Sequence, residues 1–116
     1  MTADEFRRLA LSLPETTEQS HMGHPDFRVG GKIFATLGWP EGGWGMVKLT
    51  LDQRDAFVGA SPAGFSPVPG GWGERGATRV LLAKAPADLV EEALLAAWRN
   101  AALNRFFCFY DTSESG

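Results

Sequence analysis

The sequence contains very little cysteine: Cys108 is the one cysteine among 116 residues. Because it has no intramolecular partner, a disulfide-stabilised scaffold is excluded. No run of about 18 apolar residues occurs, so no transmembrane helix is expected. The N-terminus has neither the basic nor the apolar region of a secretory signal. Together these absences predict a cytoplasmic protein that does not contact membranes.

The sequence also lacks an excess of positive charge. Fourteen acidic and 11 basic residues give a net charge of −3 and a pI of about 5.3. Since domains that bind nucleic acid are usually basic overall, any contact with DNA must come from a local patch. A hydrophobic fraction of 44% excludes global disorder. A chain of this length can bury about two thirds of its surface, which suits one domain.

The N-terminal segment has a clear helical signature. Thr2 and Glu5 have the spacing of a capping box. Apolar residues at helical spacing follow them, and Pro14 disfavours helix at the residue before it. A helix is therefore predicted over about residues 3–13.

A hairpin is predicted around Gly30-Gly31, because a glycine pair supplies the positive φ angles of a two-residue primed turn. In that register Val29 faces Lys32 and Phe27 faces Phe34. A weaker strand is predicted near residues 18–22.

The remaining elements follow from similar patterns. They are a half-buried strand over 46–50, a helix over 52–58 capped by Asp52 and ended by Gly59, a strand over 78–83, and a last helix that begins at Pro86 with Asn104 as its candidate end. A long Pro- and Gly-rich loop spans residues 61–77, with a short strand predicted near Phe65. Helices at both ends and strands in hairpins predict a two-layer α+β sandwich with a mostly antiparallel sheet.

Two motifs resemble those of the MmcQ/YjbR family. Residues 23–35, GHPDFRVGGKIFA, look like its signature, and residues 70–80, GGWGERGATRV, resemble its second motif. The resemblance covers residues 3–102 and implies an α-β3-α-β2-α order, similar to that of type III secretion chaperones. It also implies a double-wing, DNA-binding description, which rests on analogy between folds, and no established catalytic residues. We therefore expect one domain over residues 1–102 and an aromatic, then polar, partly disordered tail over residues 103–116.

Basic residues flank both glycine-rich turns. Arg28 and Lys32 lie on either side of Gly30-Gly31, and Arg75 and Arg79 lie beyond Trp72. Basic turn tips can follow phosphates, and an exposed tryptophan can stack on a base. These five residues are the candidate nucleic-acid site of a non-enzymatic binding domain. The structural alternative is that they are solvated strand-edge charges and a packed loop anchor.

A second candidate site is a ligand groove formed by Trp39, Trp44 and His24, since turn tryptophans can line such a groove or simply fill corners of a small core. His21, His24 and Asp26 lie close in sequence, but a turn at Pro25 separates them and no third strong ligand has suitable spacing, so no metal is predicted.

The remaining observations bear on cofactors and partners. The glycines of residues 71–76 formally match a dinucleotide fingerprint, but a strand is predicted after them where that motif needs a helix. No cofactor is therefore expected. The alternatives to DNA binding are a protein or peptide adaptor and a small-ligand binder at the 61–77 loop. The chain is expected to be a monomer or a weak homodimer.

Overall fold

The computed structural model describes residues 1–21, 23–38 and 42–115, apart from the side chains of His21 and residues 104–115. Its elements are α1 (Ala3–Leu11), β1 (Thr16–His21), β2 (His24–Val29), β3 (Lys32–Leu37), β4 (Trp44–Lys48), α2 (Leu51–Ala60), β5 (Phe65–Pro67), α3 (Gly71–Glu74), β6 (Ala77–Leu81) and α4 (Ala87–Ser115). The described strands form one open sheet in the order β1-β2-β3-β4-β6-β5, and every neighbouring pair is antiparallel. The predicted α+β class and antiparallel sheet are confirmed.

The order of elements differs in detail from the one that the family resemblance implies. Four strands, rather than three, lie between α1 and α2, and the one-turn helix α3 separates β5 from β6. The additional strand is β1, which pairs with β2 from Thr16 opposite Val29 to His21 opposite His24. Its polar sequence has a weak strand pattern because it lies at the edge of the sheet, where few side chains need to be apolar.

The main core lies on one face of the sheet, beneath α1, α2 and α4. The fully buried Phe6 of α1 and Leu94 of α4 pack in one cluster with the inward side chains of the sheet, including Phe27 and Val47. Helix α4 contributes small residues at helical spacing to this cluster, as a buried helical face requires. They are Val90, Ala93, Ala97 and Ala101.

Strand β4 has buried side chains on both faces at its centre, whereas the sequence predicted one buried face. Val47 belongs to the main core, while Met46 is 1% exposed and packs against Val68 and Ala77. Since successive side chains of a strand point to opposite faces, this second cluster lies on the face away from the helices, which we call the open face. The chain after β5 covers part of that face, and nothing in the sequence of β4 itself records this long-range contact.

The β2–β3 hairpin forms around Gly30-Gly31 as predicted, and both glycines have positive φ. Its register shifts beyond the first two pairs, so Phe27 lies opposite Ala35 and the predicted pairing of Phe27 with Phe34 is wrong. The shift is a β-bulge, in which one strand carries an extra residue. It allows the consecutive residues Phe34 and Ala35 both to be buried in the main core.

Thr50, rather than the predicted Asp52, caps α2. The Thr50 hydroxyl accepts a hydrogen bond from the Gln53 amide at 3.2 Å, and the Gln53 side chain accepts one from the Thr50 amide at 3.0 Å. This reciprocal capping box satisfies two amides at the helix start. The helix also continues through Gly59 to Ala60, two residues beyond the predicted end at Val58.

The two terminal helices differ from their predicted lengths. Helix α1 ends at Leu11, two residues before the predicted end. Helix α4 begins at Ala87, one residue after the predicted start at Pro86, and its backbone continues to Ser115, so Asn104 does not end it. The aromatic side chains of residues 106–110 lie outside the described residues, and the proposed division at residue 102 stays a prediction.

In residues 70–76 the backbone itself, at two glycines, packs closely against neighbouring backbone. A β-carbon at Gly73 would lie 1.7 Å from the Val68 carbonyl oxygen, and one at Gly76 would lie 1.9 Å from the Leu49 carbonyl oxygen. Arg54 of α2 donates a hydrogen bond from Nη1 to the Gly73 carbonyl at 2.6 Å. These contacts hold α3 against the end of β4.

Gly73→Ala is therefore expected to destabilise the protein by about 1–3 kcal/mol or more, because the added methyl group forces two backbone segments apart. Gly71→Ala is the matched control, since a β-carbon there meets nothing within 4 Å. In a helix alanine is favoured over glycine, so the control should lose no stability. Urea denaturation of both variants measures these changes. Equal stabilities of the two variants would contradict the close packing of Gly73 against Val68.

Candidate functional site

A cleft of about 540 Å³ opens where the β2–β3 turn, the end of β4 and α4 meet. Four cationic side chains line it: Arg28, Lys32, Lys48 and Arg75. We call it the cationic cleft. Its other lining residues are Gly31, Ile33, Leu49, Thr50, Ala97, Asn100 and Ala101. No lining residue carries a carboxylate, and Arg28 is the one cation of the four that has an ion pair among the described residues, with Asp26 behind the lining.

Asn100 connects α4, which forms one side of the cleft, to the end of β4 and to α2. Its side-chain nitrogen donates to the Gln53 side-chain oxygen at 2.8 Å and to the Lys48 carbonyl at 3.3 Å. Gln53 is already part of the box that caps α2, so α2, α4 and the end of β4 are joined through two amide side chains. The positions of the cleft walls are thus set by hydrogen bonds as well as by packing.

Lys48 lines both this cleft and a smaller cavity beside it, and its charge interacts with that of Lys32. The residue as a whole is exposed, but its ammonium group is partly desolvated because it lies over the Trp72 ring, 5.2 Å from the centroid. This desolvation, and secondly the positive charge of Lys32, lower the pKa of Lys48 below its ordinary value of 10.5. The charged form of Lys48 is therefore less favourable in the folded protein than in water.

Arg28 differs from the other cations because it is paired. Its Nε and Nη2 donate to the two carboxylate oxygens of Asp26 at 2.8 and 3.1 Å. Asp26 is 1% exposed, so Arg28 compensates a buried charge. The hydrogen bond to Asp26 raises the pKa of Arg28. Arg28 thus both lines the cleft and holds its wall together.

A smaller cavity of about 130 Å³ adjoins the cationic cleft. Lys48, Leu49 and Arg75 line both, and Trp72 and Ala77 complete the smaller one. Trp72, carried by α3, remains 53% exposed. An aromatic surface therefore lies directly beside a group of cations.

The structure brings together four of the five residues predicted to bind nucleic acid: Arg28, Lys32, Trp72 and Arg75. Arg79 lines neither cavity. It lies opposite Met46 on the open face, donates from Nε to the Ser66 hydroxyl at 2.8 Å and stacks on Trp44, with Cζ 5.1 Å from the ring centroid. Arg79 pairs with Met46, which precedes Lys48 by two residues on β4. The Arg79 side chain therefore lies further from the end of the strand, where the cleft opens.

The predicted ligand groove is not assembled at either cavity. His24 and Trp44 lie at the opposite end of the sheet, where β2 and β4 begin, and line neither cavity. Trp39 lies outside the described residues. Within the described residues no three His, Cys, Asp or Glu side chains come together as a metal site, and the His21 side chain is not among those described.

Sequence reasoning missed Lys48 and Asn100. The signal for Lys48 was present, because its neighbours Val47 and Leu49 were predicted to point inward and the residue between them must point outward. Asn100 had no such signal, since it reaches the site only because α4 crosses the end of β4.

The family model YjbR matches residues 11–100. The chain belongs to the YjbR family. The function of this family is unknown, and it is not a known enzyme family. A crystal structure of the Deinococcus radiodurans protein DR2400, which carries a DUF419 domain, is similar in fold, with a TM-score of 0.69 and 20% identity over 84% of this chain and 75% of that one. At that identity the likeness concerns the fold alone.

No curated protein sequence matches this chain. In the described part of this YjbR protein, no helix is both long and apolar enough to cross a membrane.

Arg28→Ala is expected to lower the stability of the protein, because it leaves the buried Asp26 carboxylate without its partner. The urea midpoint should fall clearly further than for Arg8→Ala, which removes an exposed arginine of α1. Adding Asp26→Asn to Arg28→Ala should recover part of the loss, since it removes the uncompensated charge. A double variant less stable than the single one would show that Asp26 does not depend on this pairing.

Lys48→Met is expected to stabilise the protein at neutral pH by less than about 1 kcal/mol, because much of the side chain stays solvated. Since the pKa of Lys48 is lowered by folding, its charge opposes folding below that pKa. As the pH rises towards 10.5 the lysine loses its proton and no longer opposes folding. The stability gained by Lys48→Met should therefore become smaller at high pH. Urea denaturation at neutral pH and near pH 10.5 measures the free energy of unfolding of the variant and of the unchanged protein. Lys84→Met, at an exposed position outside the cleft, is the control. A gain for Lys84→Met as large as that for Lys48→Met would contradict it.

Proposed function

We propose that this YjbR protein is a non-enzymatic binding domain that holds the phosphates of DNA in the cationic cleft. The observation that carries the proposal is the segregation of charge. Four of the 11 lysines and arginines line one cleft, and among the described residues Arg28 is the one of these four with an ion pair, to Asp26, although the chain as a whole has a net charge of −3. Such a local positive field attracts polyanions even when the overall charge is negative.

The repulsion between Lys32 and Lys48 supports an anionic ligand. An anion between the two ammonium groups would replace that repulsion with attraction, and would compensate for the lost hydration of Lys48. Arg75 adds a planar fork of donors suited to phosphate oxygens, whereas the lysines act as point charges. Lys32, Lys48 and Arg75 form no ion pair within the described part of the chain, so all three charges are available to a ligand.

The lining of the cleft favours binding over catalysis. Its lining holds no histidine, cysteine or carboxylate, so its lysine amines and the Thr50 hydroxyl have no such partner for general acid–base chemistry or for activation of a nucleophile. The cleft therefore offers charge and shape to a ligand without a pair of partnered catalytic groups.

A phosphorylated small molecule is the second candidate, favoured by the volume of the cleft. Its roughly 540 Å³ falls within the range of about 300–1,000 Å³ that small-molecule pockets occupy. Arg75 and Trp72 both come from the 61–77 loop, which the sequence marked for this role.

Fluorescence anisotropy with labelled DNA at about 50 and 200 mM salt tests the proposal. With three phosphate contacts, from Lys32, Lys48 and Arg75, the affinity should fall roughly 20- to 40-fold between these concentrations, because each contact releases counterions. Lys32→Ala/Arg75→Ala should weaken DNA binding at the lower salt. The slope of log affinity against log salt concentration should also decrease, by the amount expected for the loss of two phosphate contacts.

The matched control is Arg8→Ala/Lys84→Ala, which removes the same charge from exposed positions outside the cleft. It should bind nearly as well as the unchanged protein. If both double variants lost the same DNA affinity, the loss would be explained by the change in net charge alone, and the cleft would have no special role. Absence of DNA binding together with a thermal shift in millimolar pyrophosphate, lost in Lys32→Ala/Arg75→Ala, would favour the small-molecule candidate.

A further inference from the structure

We infer that the nucleic acid bound at this face is single-stranded, with an unpaired base stacked on Trp72 while the adjacent phosphate lies in the cationic cleft. The inference rests on the proposed function and specifies its ligand. Its basis is that the two cavities share Lys48, Leu49 and Arg75, so the aromatic surface and the cations are within reach of one nucleotide.

Stacking on Trp72 requires a base with an accessible face. In a duplex each base lies between its neighbours, so a protein can stack on it only where the base is unpaired or turned out of the helix. Trp72 is 53% exposed, and Lys48 lies 5.2 Å from its centroid. Aromatic rings beside cations are the usual means by which proteins hold single strands without base pairing.

The shape of the cationic cleft also favours a flexible strand. Its cations line a cleft between the β2–β3 turn and α4. Duplex DNA has a persistence length of about 150 base pairs and cannot bend its backbone into so local a recess without cost. A single strand can direct one phosphate inward while its base turns towards Trp72.

A second cation–aromatic pair lies on the same face of the sheet. Trp44 and Lys48 are both on the open face, at opposite ends of β4 and about 13 Å apart by the rise of the strand. Arg79, opposite Met46 between them, lies over the Trp44 ring. The open face therefore carries a cation–aromatic pair near each end of β4, and the second ring could meet a further base.

The test compares a labelled 12-nucleotide strand with the blunt duplex of the same sequence, at the same low salt, on the full chain. We expect the single strand to bind at least about tenfold more tightly. Trp72→Ala should weaken that binding roughly 5- to 100-fold, the usual effect of removing one stacking ring, whereas Trp72→Phe should retain most of it. Leu11→Ala, which removes another exposed apolar side chain, is the control and should change nothing.

The outcomes separate the inference from the proposed function. Equal affinities for strand and duplex, or full binding by Trp72→Ala, would overturn the inference and leave phosphate binding in place. If neither DNA binds, the proposed function and the inference both fail. Circular dichroism of each variant verifies that it is folded, and a ribonucleotide strand of the same sequence distinguishes RNA from DNA as the source of the ligand.

Discussion

The close approach of two backbone segments at Gly73 and Gly76 is the constraint on which the candidate site depends. Neither position has room for a β-carbon, because the carbonyl oxygens of Val68 and Leu49 occupy that space. This contact holds α3 against the end of β4, and α3 in turn places Trp72 and Arg75 beside Lys48. A side chain at either glycine would move the aromatic ring and one cation away from the remaining cations.

Charge in this YjbR protein is separated in space. One cation of the cleft, Arg28, compensates the buried Asp26, so it has a structural role as well as a place in the lining. Lys32 and Lys48 repel each other across the cleft, and the protein tolerates this repulsion because both groups keep contact with water. This repulsion costs stability in the free protein, and the anionic ligand proposed above would relieve it.

Local chemistry explains how much of the fold could be predicted. The Gly30-Gly31 turn, the start of α1 at Thr2 and the start of α4 within one residue of Pro86 depend on neighbouring residues, and these predictions are confirmed. The bulge opposite Phe27 and the second buried face of β4 depend on what packs above the strands. No pattern within a strand records such contacts, so the predicted Phe27–Phe34 pair and the single buried face of β4 were wrong.

The sequence by itself determined the α+β class, the antiparallel hairpin and the residue types of the candidate site, because propensity, turn chemistry and charge are properties of neighbouring residues. Only the tertiary structure decided that the two basic turns meet in one cleft, that Lys48 and Asn100 belong to it, and that Arg79 does not. These groups come from distant parts of the chain. Their convergence depends on the pairing of β4 with β6 and on the path of α4 across the sheet.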